Sequence, residues 1–127
     1  MQLYTLSELD ATEDDLCGHV VYAICDDAGA LLYVGKTTNI QGRLGEHRRS
    51  SSSLGRALRV AGERSRDWTI TVYQLADCAD AVHRHRPAER AWYAQNVAEG
   101  RALDSCLRSA EQSLIADLRP ALNGQWW

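Results

Sequence analysis

Residues 18–25, Gly-His-Val-Val-Tyr-Ala-Ile-Cys, constrain this chain of 127 residues more than any other stretch. The run is apolar almost throughout, as expected of a strand covered on both faces. Asp26-Asp27-Ala28-Gly29 is a turn signal, and Leu31 to Lys36 reads as a second strand that Gly35 brings to its end. With a loop of those four residues, Cys25 pairs with Ala30 and Tyr22 falls directly opposite Tyr33. Opposed residues share a face, with Cβ atoms roughly 5 Å apart. A one-residue slip would send the two rings to opposite faces. Tyrosine pairs across strands are common packing devices, so the pair alone leaves packing and chemistry both open.

A helix follows from Ile40 to about Arg49, capped by Thr38 or Asn39, with Ile40 and Leu44 on its buried side. Arg43 and His47, four apart, project together from a neighbouring face. Gly42 and Gly45 each cost the helix about 1 kcal/mol against alanine. Two such costs in one short helix point to a close approach to its backbone, by neighbouring protein or by a ligand.

Charge is distributed unevenly. The net charge is −3, which by itself argues against a nucleic-acid partner. Yet residues 1–35 carry seven acids and no Lys or Arg, whereas residues 36–66 carry Lys36 and seven arginines against Glu46 and Glu63, a balance of +6. Residues 67–127 return to −2. A basic block inside an acidic chain suits a local phosphate-binding face, with Lys36, Arg43, Arg48, Arg49, Arg56 and Arg59 as its candidates. A solvated helical surface explains the same charges.

The N-terminal residues 1–17 are acidic, with leucines at 3, 6, 9 and 16. They suit either a short strand and a turn of helix packed on the domain, or a loosely held arm. Glu13, Asp14 and Asp15 read as a solvated turn. Ser50–Ser53 makes a joint and an N-cap for a helix carrying Leu54, Ala57, Leu58 and Ala61, with Arg56 and Arg59 outside. Asp67 to Leu75 alternates and reads as a third strand. His83 and His85 fall in an irregular stretch before Pro87, which can start a helix running to Gly100. With Cys78 near, that pair could ligate zinc, but no second pair at metal-site spacing supports it.

The last helix is capped by Asp104 or Ser105 and stopped by Pro120. Leu103, Cys106, Leu107, Ala110, Leu114, Ile115 and Leu118 form its apolar stripe. Glu111 falls along one edge of that stripe and Asp117 along the other. Periodicity does not choose between them, but an internal carboxylate needs a partner or a metal.

Composition places the chain among ordinary single domains: 45% hydrophobic and 24% charged. No apolar run approaches the roughly 20 residues that span a bilayer, and no signal-peptide pattern opens the sequence. Four scattered cysteines without a C-x-x-C pair read as reduced thiols of a cytoplasmic protein.

Taken together, the motifs resemble the GIY-YIG nuclease family. Val20-Val21-Tyr22 stands where the first motif's Gly-Ile-Tyr would be, and Tyr33-Val34-Gly35 where the second would be. Lys36 through His47 is similar to the family's G-x-T-x-N-l-x-x-R-l-x-x-H helix. Ala110-Glu111-Gln112-Ser113-Leu114-Ile115, Pro120 and Leu122-Asn123 resemble its E-x-x-L-I…P-x-L-N close. Val20 departs from the first motif's glycine. The stretch at about 76–103 is long and reads as a helical insertion where substrate choice can differ, within a domain of residues 18–127.

The resemblance implies an α+β fold with a small three-stranded antiparallel sheet flanked by helices. It also implies one divalent ion, Mg²⁺ or Mn²⁺, and hydrolysis of DNA phosphodiesters, RNA being the less expected substrate. Carried over, Tyr22 and Tyr33 would serve the nucleophilic water, Arg43 the scissile phosphate, and Glu111 the metal. Lys36 and His47 match positions used in several members, and Asn123 would brace the site. The base is the open question. A free tyrosine has a pKa of about 10, so a phenolate near pH 7 costs roughly 4 kcal/mol unless Lys36, Arg43 and the metal lower it. Tyr22 as base or relay, with Tyr33 and His47 orienting the water, is the expectation. A non-cleaving nucleic-acid-binding module that keeps the fold is the alternative, and a protein-interaction domain anchored by Trp126-Trp127 a third reading. Without a second DNA-binding domain, specificity would come from the insertion, from a homodimer or from a protein partner.

Overall fold

The computed structural model describes residues 1–13 and 16–123. Asp14, Asp15, Trp126 and Trp127, read above as a turn and a terminal anchor, lie outside the described residues. The elements run β1 (Gln2–Thr5), α1 (Leu6–Ala11), β2 (Cys17–Cys25), β3 (Leu31–Asn39), α2 (Ile40–Arg49), α3 (Ser53–Ala61), β4 (Thr69–Gln74), α4 (Ala79–His85), α5 (Arg90–Glu99) and α6 (Leu103–Leu118). The sheet is antiparallel in the order β1-β4-β2-β3.

The α+β class and antiparallel sheet agree with expectation, but the sheet has four strands rather than three. The added strand is β1, which pairs along β4 from Gln2↔Val72 to Thr5↔Thr69. Of the two readings of the N-terminal segment, the structure shows the strand and the turn of helix. Thr5 and Glu8 close a capping box at the start of α1, and the Leu6 N–H donates to the Trp68 carbonyl at 2.8 Å. Leu6 and Leu9 are both 0% exposed, and burying each is worth about 2 kcal/mol. That is ample to dock a short arm.

The strand β2 is indeed covered on both faces. Val21 and Ala23 join the core under α4, α5 and α6, with Val34, Tyr93, Cys106, Leu107 and Leu114. Val20, Tyr22 and Ile24 point the other way, into a second core with Leu6, Leu9, Ile40, Leu44, Leu54 and Ile70. Helices therefore lie on both sides of the sheet, α1–α3 on one and α4–α6 on the other.

The β2–β3 register differs from the expected one. The loop spans residues 26–30, closed by the Asp26 N–H donating to the Ala30 carbonyl at 2.9 Å, so Cys25 pairs with Leu31. A bulge then brings Ile24 opposite Tyr33 and Tyr22 opposite Gly35. Each event shifts the pairing by one residue. Two one-residue shifts restore the parity of the pleat, so Tyr22 and Tyr33 are diagonal rather than opposed and still share a face. Gly35 does not end β3, which runs on to Asn39.

Helix boundaries for α2 and α3 match the reading, with Asn39 and Ser52 as the N-caps. His83 and His85 lie in a helix, α4, rather than in an irregular stretch. Helix α6 is not capped by Asp104 or Ser105. Its N-cap is Ala102 at φ 49°, and Asp104 sits in the first turn, where its carboxylate meets His19 Nε2 at 3.0 Å.

After α6 the chain returns to β3, the outer strand on its side of the sheet. The Leu122 N–H donates to the Leu32 carbonyl at 2.7 Å. The Val34 N–H donates to Asn123 Oδ1 at 2.8 Å, and Asn123 Nδ2 donates to the Val34 carbonyl at 2.7 Å. One side chain thus satisfies both outward backbone groups of a buried edge residue. Removing it leaves both groups unpaired at 1–3 kcal/mol each. Asn123→Ala is expected to destabilise by about 3 kcal/mol and lower the melting temperature by on the order of 10 °C. A fall of less than about 2 °C in calorimetry would show that the pair does not hold the edge.

Candidate active site

Four elements converge at the β3 edge. From β2 and β3 come Tyr22 and Tyr33, with ring centroids 6.1 Å apart. Gly35 makes room for them. A Cβ there would stand 2.5 Å from the Tyr22 hydroxyl oxygen and 2.8 Å from Cε2 of Tyr33, contacts no side chain could keep. Gly42 answers the close-approach argument differently, since the group over its backbone is the capping Asn39 side chain.

From α2 comes His47, 4% exposed, with Nε2 at 2.8 Å from the Tyr22 hydroxyl. Its ring also meets Tyr33 edge-on at 5.1 Å. Burial, and next the charge of Arg43, push the imidazole down to about 4, so it is neutral at pH 7. Burial also raises the Tyr22 phenol above its ordinary value, more than the neighbouring Arg43 lowers it. Tyr33 is raised for the same first reason. Arg43 acts on all three groups, as its i, i+4 relation to His47 suggested, while its guanidinium is anchored to Glu46 at 2.8 Å. The expected easing of Tyr22 toward phenolate is outweighed by desolvation.

From α6 come the two carboxylates that periodicity left undecided. Asp117 accepts from Arg84 at 2.9 Å and meets His85 Nε2 at 3.0 Å, and those partners hold it below the usual carboxylate range. Glu111 is partly buried and makes no hydrogen bond or ion pair among the described residues. Burial raises its pKa, opposed by Lys36 and then Arg43. Glu111 opens on a groove of about 480 Å³ with Tyr33 and Asn123 in its walls.

Among the described residues no group of three or more His, Cys, Asp or Glu is placed to hold a metal. A single carboxylate on an open, polar groove fits a hard dication that keeps its waters and takes phosphate oxygens as further ligands. It does not fit the closed four-ligand set of structural zinc. His83, His85 and Cys78 do not form such a set either: His85 is bound to Asp117, and Cys78 is buried with its thiol on the Gln74 carbonyl.

The basic block divides. Lys36, Arg49 and Arg56 are exposed. Arg48 is held in a two-point pair with Asp10 of α1 at 3.2 and 2.9 Å, and Arg59 donates to the Arg48 and Ser50 carbonyls. Sequence reasoning named neither Arg86 nor Gln112 as site residues, yet both line the groove beside Glu111. Their contact spans α4 and α6, and no local pattern announces it.

A family model described as the GIY-YIG catalytic domain matches residues 18–120. No curated protein matches the chain. No solved structure matches it.

The neutral imidazole has a consequence for stability. In the unfolded chain His47 takes a proton near its ordinary value of 6.5, and in the fold only near 4. Between those values the unfolded state binds more protons, so this group's contribution falls as pH drops from 6.5 to about 4 and is level below that. Urea unfolding of wild type and His47→Gln should show their stability difference shrinking across that window. Parallel profiles would mean that His47 is not held neutral by the fold.

Proposed function

The chain belongs to the GIY-YIG catalytic-domain family, a family of nucleases. From that membership we propose that it is a metal-dependent DNA endonuclease whose site is Tyr22, Tyr33, Lys36, Arg43, His47, Glu111 and Asn123. The observation that carries the proposal is the pairing of a buried Tyr22–His47 hydrogen bond with a desolvated, unpartnered Glu111 at the same sheet edge.

Glu111 would hold one Mg²⁺ or Mn²⁺, which when bound supplies charge stabilisation at the phosphate and the leaving oxygen. The guanidinium of Arg43 presents a planar fork matched to phosphate, and Lys36 adds a point charge. Tyr22, kept as a phenol, acts as a relay. It takes the proton of the attacking water on its oxygen while passing its own proton to Nε2 of His47. Two features support this direction. His47 is neutral, and in its Nδ1-protonated tautomer it turns the Nε2 lone pair to the phenol proton. Arg43 is also the second cause of its low basicity, so a phosphate bound to Arg43 offsets that charge and makes His47 a better acceptor. Tyr33, edge-on to His47, orients the water, and Asn123 keeps the edge in place through Val34.

Among the described residues no helix is long and apolar enough to cross a membrane. Free thiols at Cys25, Cys78 and Cys106 accord with a cytoplasmic setting. DNA is the proposed partner, with specificity supplied by the 76–103 insertion, a second copy or a protein.

Supercoiled plasmid incubated with Mg²⁺ or Mn²⁺ should be nicked by the wild type. EDTA should stop the reaction, and Glu111→Ala should slow it by on the order of a thousandfold. DNA binding without nicking under any of these conditions would favour the non-cleaving module. Equal nicking by Glu111→Ala would remove Glu111 from the site.

A further inference from the structure

We propose that the groove beside Glu111 carries the substrate strand onward from the scissile phosphate, and that Arg86 binds the next phosphate of that backbone. This rests on the nuclease reading and adds to it a residue that the 76–103 stretch contributes to the DNA path.

Arg86 is built into its place. It follows the last residue of α4, its N–H donates to the Val82 carbonyl, and Pro87 turns the chain so that the side chain crosses toward α6. Its Nη1 donates to Glu89 at 3.0 Å and its Nη2 to the Gln112 amide oxygen. Glu89 is itself fixed by Ser109, 5% exposed, whose hydroxyl donates to it at 2.8 Å. A guanidinium carries five N–H donors, and these contacts account for two of them. The remainder is available on a side chain that lines the groove with Tyr33, Glu111 and Asn123. Ser113 of the same wall has a buried hydroxyl with no partner.

The chemistry of the wall selects the ligand. Among the described residues that line it, Glu111 is the one carboxylate, and it is the group assigned to the metal. His85 meets Asp117 through Nε2, whereas Arg86, though paired with Glu89 through Nη1, keeps further N–H donors for the groove. A preorganised fork on a polar wall is suited to a phosphate diester and loses little entropy on binding one. Lys36 and Arg43 come from β3 and α2 and do not line the groove, whereas Arg86 enters it from the end of α4. The groove therefore leads from Glu111 toward Arg86, where the adjoining phosphate of a continuous strand would lie.

Fluorescence anisotropy of a labelled DNA duplex, in EDTA and across a salt series, tests this without requiring cleavage. Arg86→Gln should weaken binding roughly tenfold at low salt and reduce the slope of log K against log salt by about 0.9, one phosphate contact. Arg101→Gln, on the exposed α5–α6 turn, should leave both unchanged. Gln112→Glu keeps an acceptor for Arg86 but sets a second carboxylate on a guanidinium that already pairs with Glu89, and should reproduce the loss of slope. If Arg86→Gln does not fold, the Gln112→Glu result decides. A folded Arg86→Gln, or a Gln112→Glu protein, with wild-type affinity and slope would overturn the proposal. A reduced slope in a protein that never nicks DNA would sink the hydrolytic reading and leave the phosphate contact standing. Nicking with an unaltered slope would do the reverse.

Discussion

Two hydrogen bonds between the Asn123 amide and the backbone of Val34 hold the halves of this molecule in register. The sheet divides the fold into two helical layers, and the candidate site draws on both. Tyr22 and His47 belong to the layer of α1–α3, Glu111 to the layer of α4–α6. Side chains on opposite faces of a sheet meet only around an edge, and β3 is that edge. Closing the chain on Val34, between Tyr33 and Gly35, brings the end of α6 to the strand that carries the tyrosines. At Val34 a single amide offers a donor and an acceptor at the spacing of a backbone partner, and the Leu122 N–H on the Leu32 carbonyl continues the seal without a fifth strand.

Within the site, burial sets the chemistry. The same desolvation raises Tyr22, raises Glu111 and lowers His47, so each group is driven toward its neutral form before any substrate arrives. Lys36 and Arg43 oppose this at Glu111 and Arg43 opposes it at Tyr22, whereas at His47 Arg43 adds to it and Glu46 opposes it. Such a site leaves its carboxylate without a paired cation, while its arginine is held by Glu46 at the site's rim. A partly buried carboxylate without a hydrogen bond or ion pair among the described residues is the feature on which the proposed hydrolysis, rather than binding alone, rests.

Sequence logic recovered most of this because its signals were local. Apolar continuity identified β2 as a doubly covered strand, and i, i+4 spacing placed Arg43 and His47 on one side of α2. The same-face placement of Tyr22 and Tyr33 held although the register was wrong, since a longer loop and a bulge shifted the pairing by one residue each. Features that depend on distant partners were not legible. The strand at Gln2–Thr5 exists because β4 offers it an edge. Asp104 looks like an N-cap by type, yet is drawn to His19. Glu111 and Asp117 are equivalent in periodicity and are separated only by what Arg84 and His85, on another helix, take up. Arg86 and Gln112 are twenty-six residues apart, and only the α4–α6 packing makes them one wall.

The central claim is that Tyr22 and His47 act as one proton-transfer unit. Single-turnover cleavage rates of wild type, Tyr22→Phe, His47→Gln and the double variant measure this directly. A unit predicts that each single change costs on the order of a hundredfold or more and that the double change costs little beyond either one. Losses that multiply, or a Tyr22→Phe enzyme at the wild-type rate, would contradict it.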